Sequence, residues 1–266
     1  MKEMKFGRLL TAMVTPFNQE GEIDYEVATQ LVEHLLATGS DALVVGGTTG
    51  EAPTLSHEEK LKLFQHVVKV VNKRVPVIAG TGCNNTKSSI QLTQEAEQLG
   101  VDGIMLVTPY YNKPSQAGII QHMTAVAAAT KLPIMVYNIP GRTGVNIGVD
   151  TIVQLSTVPN IVAVKEASGD VTQMGEILAR TAEDFVVYSG DDKLTLPLLA
   201  IGGQGVVSVA SHLLGEEMQQ MIQLFLRGEV EEAARLHRQL LARFETLFIY
   251  PNPVPVKTLL AEIGVP

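Results

Sequence analysis

The chain has 266 residues, of which 45% are apolar, and a formal net charge of −8 at pH 7. The charge argues against a nucleic-acid or other polyanionic partner, and no apolar run is long enough to span a bilayer. A single cysteine, Cys83, leaves no disulfide framework, and the start Met1-Lys2-Glu3-Met4-Lys5-Phe6 lacks the apolar core of a signal peptide, so a reducing, cytoplasmic location is expected.

Short β-rich runs alternate with helical patterns along the chain. Strands are predicted at 11–14, 42–45, 75–79, 103–107, 134–137, 161–165, 185–189 and 205–209, each reading as buried on both faces rather than alternating. Val27, Leu31 and Leu35 recur at helical spacing before Gly39, which stops the helix. Ser56-His57-Glu58-Glu59 fits a capping box ahead of Leu61, Phe64, Val68 and Val71. Gly100 closes the helix through Ala96 and Leu99, and Asp170 is a weaker cap candidate. After the eighth strand, 216–226 and 229–247 read as amphipathic helices separated at Gly228. Tyr250-Pro251-Asn252-Pro253-Val254-Pro255 cannot be helical throughout, and 257–264 reads as the start of another helix.

Eight βα units in about 250 residues predict an α/β TIM (β/α)8 barrel rather than a doubly wound sheet. A catalytic barrel is expected over 1–225 and a short, truncated C-terminal helical segment over 226–266. Gly80-Thr81-Gly82 lacks the third glycine of a dinucleotide fingerprint, and no Walker loop occurs.

In such a barrel the chemistry lies at the C-terminal strand ends. Gly46-Gly47-Thr48-Thr49-Gly50-Glu51 follows strand two, with exposed amides and two hydroxyls suited to an anion, or equally to a tight turn. Thr108-Pro109-Tyr110-Tyr111-Asn112-Lys113-Pro114 follows strand four, its phenols serving either packing or chemistry. Strand five runs into Tyr137-Asn138-Ile139-Pro140-Gly141-Arg142-Thr143-Gly144, where a buried Arg142 would suit a carboxylate clamp. Strand six ends in Lys165. A cation there is costly to desolvate, so it is either ion-paired, to Glu166 or another acid, or a lysine of lowered pKa that attacks carbonyl carbon. No His, Cys, Asp and Glu set has metal-ligand spacing in these loops, and His57, His66, His122, His212 and His237 read as surface or packing residues. Cys83 has no histidine close in sequence and reads as a loop or packing residue.

Together these motifs, from Thr11-Ala12-Met13-Val14-Thr15-Pro16-Phe17 to Pro251-Asn252-Pro253, closely resemble the dihydrodipicolinate synthase family of pyruvate-dependent Schiff-base lyases. The resemblance implies that Lys165 forms an imine with pyruvate, whose enamine adds to L-aspartate 4-semialdehyde in the committed step of diaminopimelate and lysine biosynthesis. It implies that Thr49, Val207 and Gly190 contact substrate, and that Arg142 holds the semialdehyde carboxylate. Tyr137 would be the acid/base group, linked through Thr48 or Thr49 to Tyr111 of a neighbouring subunit. The implied assembly is therefore a homodimer at least, a tetramer in the family, with no metal or nucleotide cofactor. Pro53, Lys60 and Ser88 depart from the lysine-feedback pattern that His57, Asn84 and Tyr110 fit, so weak or absent feedback is expected. Family members normally continue past Val265-Pro266, hence the expected truncation. The Gly-Arg-Thr-Gly continuation at Arg142 separates this reading from a sialic acid or sugar-acid lyase. A barrel that only senses a keto acid should lack the lysine or the relay hydroxyls, and this chain has both.

Overall fold

In the computed structural model, which describes residues 6–265, all eight predicted strands form. Met1 to Lys5, where no signal peptide is expected, and Pro266 lie outside the described residues. The strands are β1 (Leu9–Ala12), β2 (Ala42–Val45), β3 (Val77–Gly80), β4 (Gly103–Val107), β5 (Ile134–Asn138), β6 (Ile161–Glu166), β7 (Val186–Ser189) and β8 (Gly205–Ser208). They pair in parallel in chain order and close through β1 and β8 into one barrel.

Side chains alternate along each strand. Leu10, Ala12, Val44, Ile78, Met105, Met135, Tyr137, Ala163, Tyr188 and Val207 fill the interior. Leu9, Leu43, Val45, Ile104, Leu106, Val136 and Val164 pack outward under the helices. Both faces are buried, which is why the runs read as continuous rather than alternating.

Several strand boundaries differ from the sequence reading by one or two residues. β1 begins two residues early because the Asp41 carboxylate accepts from the amides of Arg8 (2.7 Å) and Leu9 (2.9 Å), seating the strand start against β2. β3 begins at Val77, since Pro76 has no amide to donate to the ladder. β5 and β6 each run one residue further, through the pair Asn138↔Glu166.

The predicted caps are present. Ser56 and Glu59 bond reciprocally at the start of helix His57–Val71, and Asp170 accepts from Thr172 and Gln173 at the start of helix Val171–Arg180. Asp24 caps helix Tyr25–Ala37 in the same way. That helix buries Ala28, Leu31, Val32 and Leu35.

After β8 come helices Ser211–Leu226, Val230–Thr246 and Val254–Glu262. The expected boundary at 225/226 falls at the end of the first. The last helix begins directly after a cis Asn252–Pro253 bond and returns to the barrel mouth. There Lys257 Nζ donates to Glu51 at 2.6 Å and lies 4.5 Å from the ring centre of Phe17.

Candidate active site

Lys165 and Tyr137 are register partners at the C-terminal ends of β6 and β5. Lys165 is only 5% exposed, and its Nζ lies 4.2 Å from the Tyr137 ring centre. Burial pushes its pKa down from 10.5 to about 8; the charge of Asp192 opposes that shift and Arg142 adds to it. A buried lysine whose neutral form is within reach at ordinary pH can act as a nucleophile.

The ion-pair reading of Lys165 fails. No carboxylate lies within 4.0 Å of its Nζ among the described residues. Glu166, the first partner considered, points the other way. Consecutive residues of a strand face opposite sides, so a lysine inside the barrel puts its neighbour outside. There the Glu166 carboxylate accepts from Asn138, Gln173 and the Ser168 amide.

Tyr137 is buried, which raises its phenol to about 12, against lowering influences from a hydrogen bond with Thr48 and from the charge of Arg142. The group is thus a protonated donor at neutral pH. Of the two threonines offered as its link, Thr48 is the one whose side chain influences the phenol. Thr49 is buried and its hydroxyl accepts instead from Asn252 Nδ2 at 2.9 Å.

Arg142 sits in the one-turn helix Pro140–Thr143 and is exposed, not buried as expected. Its guanidinium donates to the Asn252 carbonyl at 3.4 Å. It lines a cavity of about 770 Å³ together with Thr48, Tyr111, Tyr137, Met105 and Ile139. Val207 is buried in the barrel interior on β8. Gly190 follows β7, where a Cβ would stand 2.5 Å from that of Ala167 and 3.1 Å from Lys165 Cε, so only glycine leaves the lysine its space.

Tyr111 is the outlier of the set. It is 89% exposed at the rim, has φ of 73°, and makes no hydrogen bond to Thr48 within the described residues.

Two residues escaped the sequence reading. Asn252 bridges Thr49 and Arg142 from more than 100 residues away, and its Oδ1 is buried without a hydrogen-bond partner among the described residues. Its position between two prolines was the available signal. Asp192 is buried behind β7 and β8, where its carboxylate accepts from the Ser208 hydroxyl and from the amides of Val209 and Ala210. Burial raises its pKa from 3.8 to about 6. Asp192 lies three residues past the predicted strand 185–189, and nothing in its local sequence pointed to a role. No cluster of three or more His, Cys, Asp or Glu able to hold a metal ion occurs among the described residues.

The site has a definite pH signature. Addition of Lys165 to a small keto acid should speed up roughly tenfold per pH unit and level off above about pH 8, because only the neutral amine attacks. Removing the opposing charge with Asp192→Asn should move the midpoint lower. Trapping rates measured against pH check both, and a midpoint near the ordinary lysine value would show that burial does not activate this amine.

The family model described as "Dihydrodipicolinate synthetase family" matches residues 5–266. A 4-hydroxy-tetrahydrodipicolinate synthase 1 of Halalkalibacterium halodurans is 60% identical over 263 residues, which are 99% of this chain and 89% of the relative. The 4-hydroxy-tetrahydrodipicolinate synthase of Bacillus subtilis is 57% identical over 262 residues, 98% of this chain and 90% of the relative. The crystal structure of a dihydrodipicolinate synthase from Bacillus anthracis superposes with a TM-score of 0.96 at 58% identity, covering 98% of this chain and 89% of that one.

Proposed function

We propose that this chain, which belongs to the dihydrodipicolinate synthetase family, is a lyase that condenses pyruvate with L-aspartate 4-semialdehyde to give 4-hydroxy-tetrahydrodipicolinate. The observation that carries the mechanism is a buried amine of lowered pKa packed against a protonated phenol beside a cavity lined by an arginine.

Lys165 Nζ adds to the ketone carbon of pyruvate, and water leaves as the imine forms. The imine draws electrons from the methyl group, which loses a proton to become an enamine. Its carbon adds to the aldehyde carbon of the semialdehyde, whose oxygen takes a proton and becomes a hydroxyl. The semialdehyde amine then attacks the imine carbon, closing the ring and releasing Lys165. The imine is the electron sink, so this reading invokes no metal or nucleotide.

Tyr137 supplies and recovers protons, with Thr48 as its hydrogen-bonded link. Thr49, the amides of its loop and the backbone at Val207 hold the pyruvate carboxylate and keto group, and Gly190 leaves room for the imine. Arg142 clamps the semialdehyde carboxylate. Its exposure in the free protein suits a group that closes on an incoming charged substrate.

Tyr111 completes the proton path from a neighbouring copy, which accounts for a phenol exposed on its own chain. The protein is therefore a homodimer at least, a tetramer by analogy with the family; full turnover by a species of monomer mass in solution would count against this. No helix among the described residues is long and apolar enough to cross a membrane. A cytoplasmic location fits the single cysteine, Cys83.

Borohydride reduction in the presence of pyruvate, followed by peptide mass measurement, tests the chemistry: the adduct belongs on Lys165, and its absence there defeats the proposal. Coupled turnover with the semialdehyde tests the substrate pair and separates this reading from a sugar-acid lyase. Arg142→Ala should lower kcat/KM for the semialdehyde by about a hundredfold, the cost of a lost bidentate carboxylate contact, while imine formation with pyruvate stays within about threefold. Equal losses in the two steps would remove Arg142 from the clamp role.

A further inference from the structure

Glu166 is fully buried, yet no cation pairs with it among the described residues. A buried carboxylate is expensive, and here the compensation consists entirely of neutral donors. Asn138 Nδ2 reaches both oxygens, at 2.9 and 3.2 Å, Gln173 Nε2 reaches one at 2.9 Å, and the Ser168 amide the other at 2.7 Å.

Those donors share a purpose in space. Asn138 directly follows Tyr137, as Glu166 follows Lys165, and the two pairs are consecutive rungs of one ladder. Asn138 then extends the contact to the end of the Arg142 segment, donating to Asn146 Oδ1 at 2.7 Å and accepting from the Ile147 amide at 3.0 Å. Gln173 closes the circuit by accepting from Asn146 Nδ2 at 2.8 Å. The Glu166 backbone also accepts from the Gly190 amide at 2.8 Å.

We propose that Glu166 is a positioning residue that locks the segment carrying Arg142 to the strand carrying Lys165, and so sets the distance between the imine carbon and the carboxylate clamp. It touches no substrate. A carboxylate suits the task because it accepts on every side, and each charge-assisted bond is stiffer than a neutral one. The inference rests on the proposed condensation, since it assigns the held distance to the second substrate.

The test is a donor–acceptor swap. Glu166→Gln places an amide group among donors and leaves at least one without an acceptor. Its KM for the semialdehyde should rise roughly ten- to a hundredfold, as expected when a clamp shifts by about 1 Å, with imine trapping by pyruvate and borohydride within about threefold of the unmodified protein. The double variant Glu166→Gln/Gln173→Glu returns a carboxylate to the circuit from the other side and should recover most of the loss. If Glu166→Gln does not fold, Asn146→Ala cuts the same link at an exposed residue and should raise that KM by threefold or more, again sparing imine formation. An unchanged semialdehyde KM, equal losses in both steps, or a folded double variant without recovery overturns the positioning role. The unmodified protein is the control: if it gives no pyruvate adduct or no turnover, the proposed function has failed rather than the role of Glu166.

Discussion

Lys165→Met is expected to abolish the borohydride-trapped pyruvate adduct and to lower turnover by at least about a thousandfold, because Lys165 is the buried amine that packs against Tyr137 at the ends of β5 and β6. The same substitution should make the protein more stable at neutral pH. Burial lowers the lysine pKa from 10.5 in the free side chain to about 8. The folded state therefore disfavours the protonated form, and the penalty is fully present below about pH 8. Between that value and 10.5 the unfolded chain binds more protons, so stability rises with pH and the penalty fades. A methionine of similar length removes it, for a gain on the order of 2–3 kcal/mol. The competing picture, a buried ion pair, predicts the opposite sign. Removing one partner would orphan a carboxylate and destabilise by about 3–5 kcal/mol. Denaturant unfolding at pH 7 separates them: a lower midpoint for Lys165→Met would revive the ion pair, and persistence of the adduct would remove Lys165 from the chemistry.

Tyr137→Phe is expected to lower turnover by about a hundredfold or more while leaving a trappable adduct with pyruvate. The phenol, pushed up to about 12, is a proton donor throughout the working range. Phenylalanine keeps the ring that packs against Lys165 and deletes only the transferable proton. The lost hydrogen bond should cost about 1 kcal/mol of stability, so the protein remains folded. Rapid-quench trapping beside coupled turnover makes the comparison. Turnover within about threefold of the unmodified protein would take the acid/base role away from Tyr137.

Much of this could be read from residues adjacent in sequence. The alternation of strand and helix, the Ser56 and Asp170 caps and the lysine closing an apolar strand are local patterns, and local sterics and hydrogen bonding enforce them. Boundaries slipped where a distant group set them, as at β1, whose start is pinned by Asp41. Arg142 was expected to be buried from its motif alone, but its exposure is set by how the short helix Pro140–Thr143 sits at the rim of the cavity.

What the sequence by itself determined is the kind of barrel, the strand ends that carry chemistry and the residue types available there. Only the tertiary structure decided what each group faces. Parity along β6 sends Lys165 inward and Glu166 outward, and closure of the barrel brings Asp192 and Arg142 near enough to influence the amine. The return of the C-terminal segment sets Asn252 between Thr49 and Arg142. The physical reason is that hydrophobic pattern reports whether a side chain leaves water. Its pKa and its partners depend on the desolvation and the charges that the rest of the chain assembles around it.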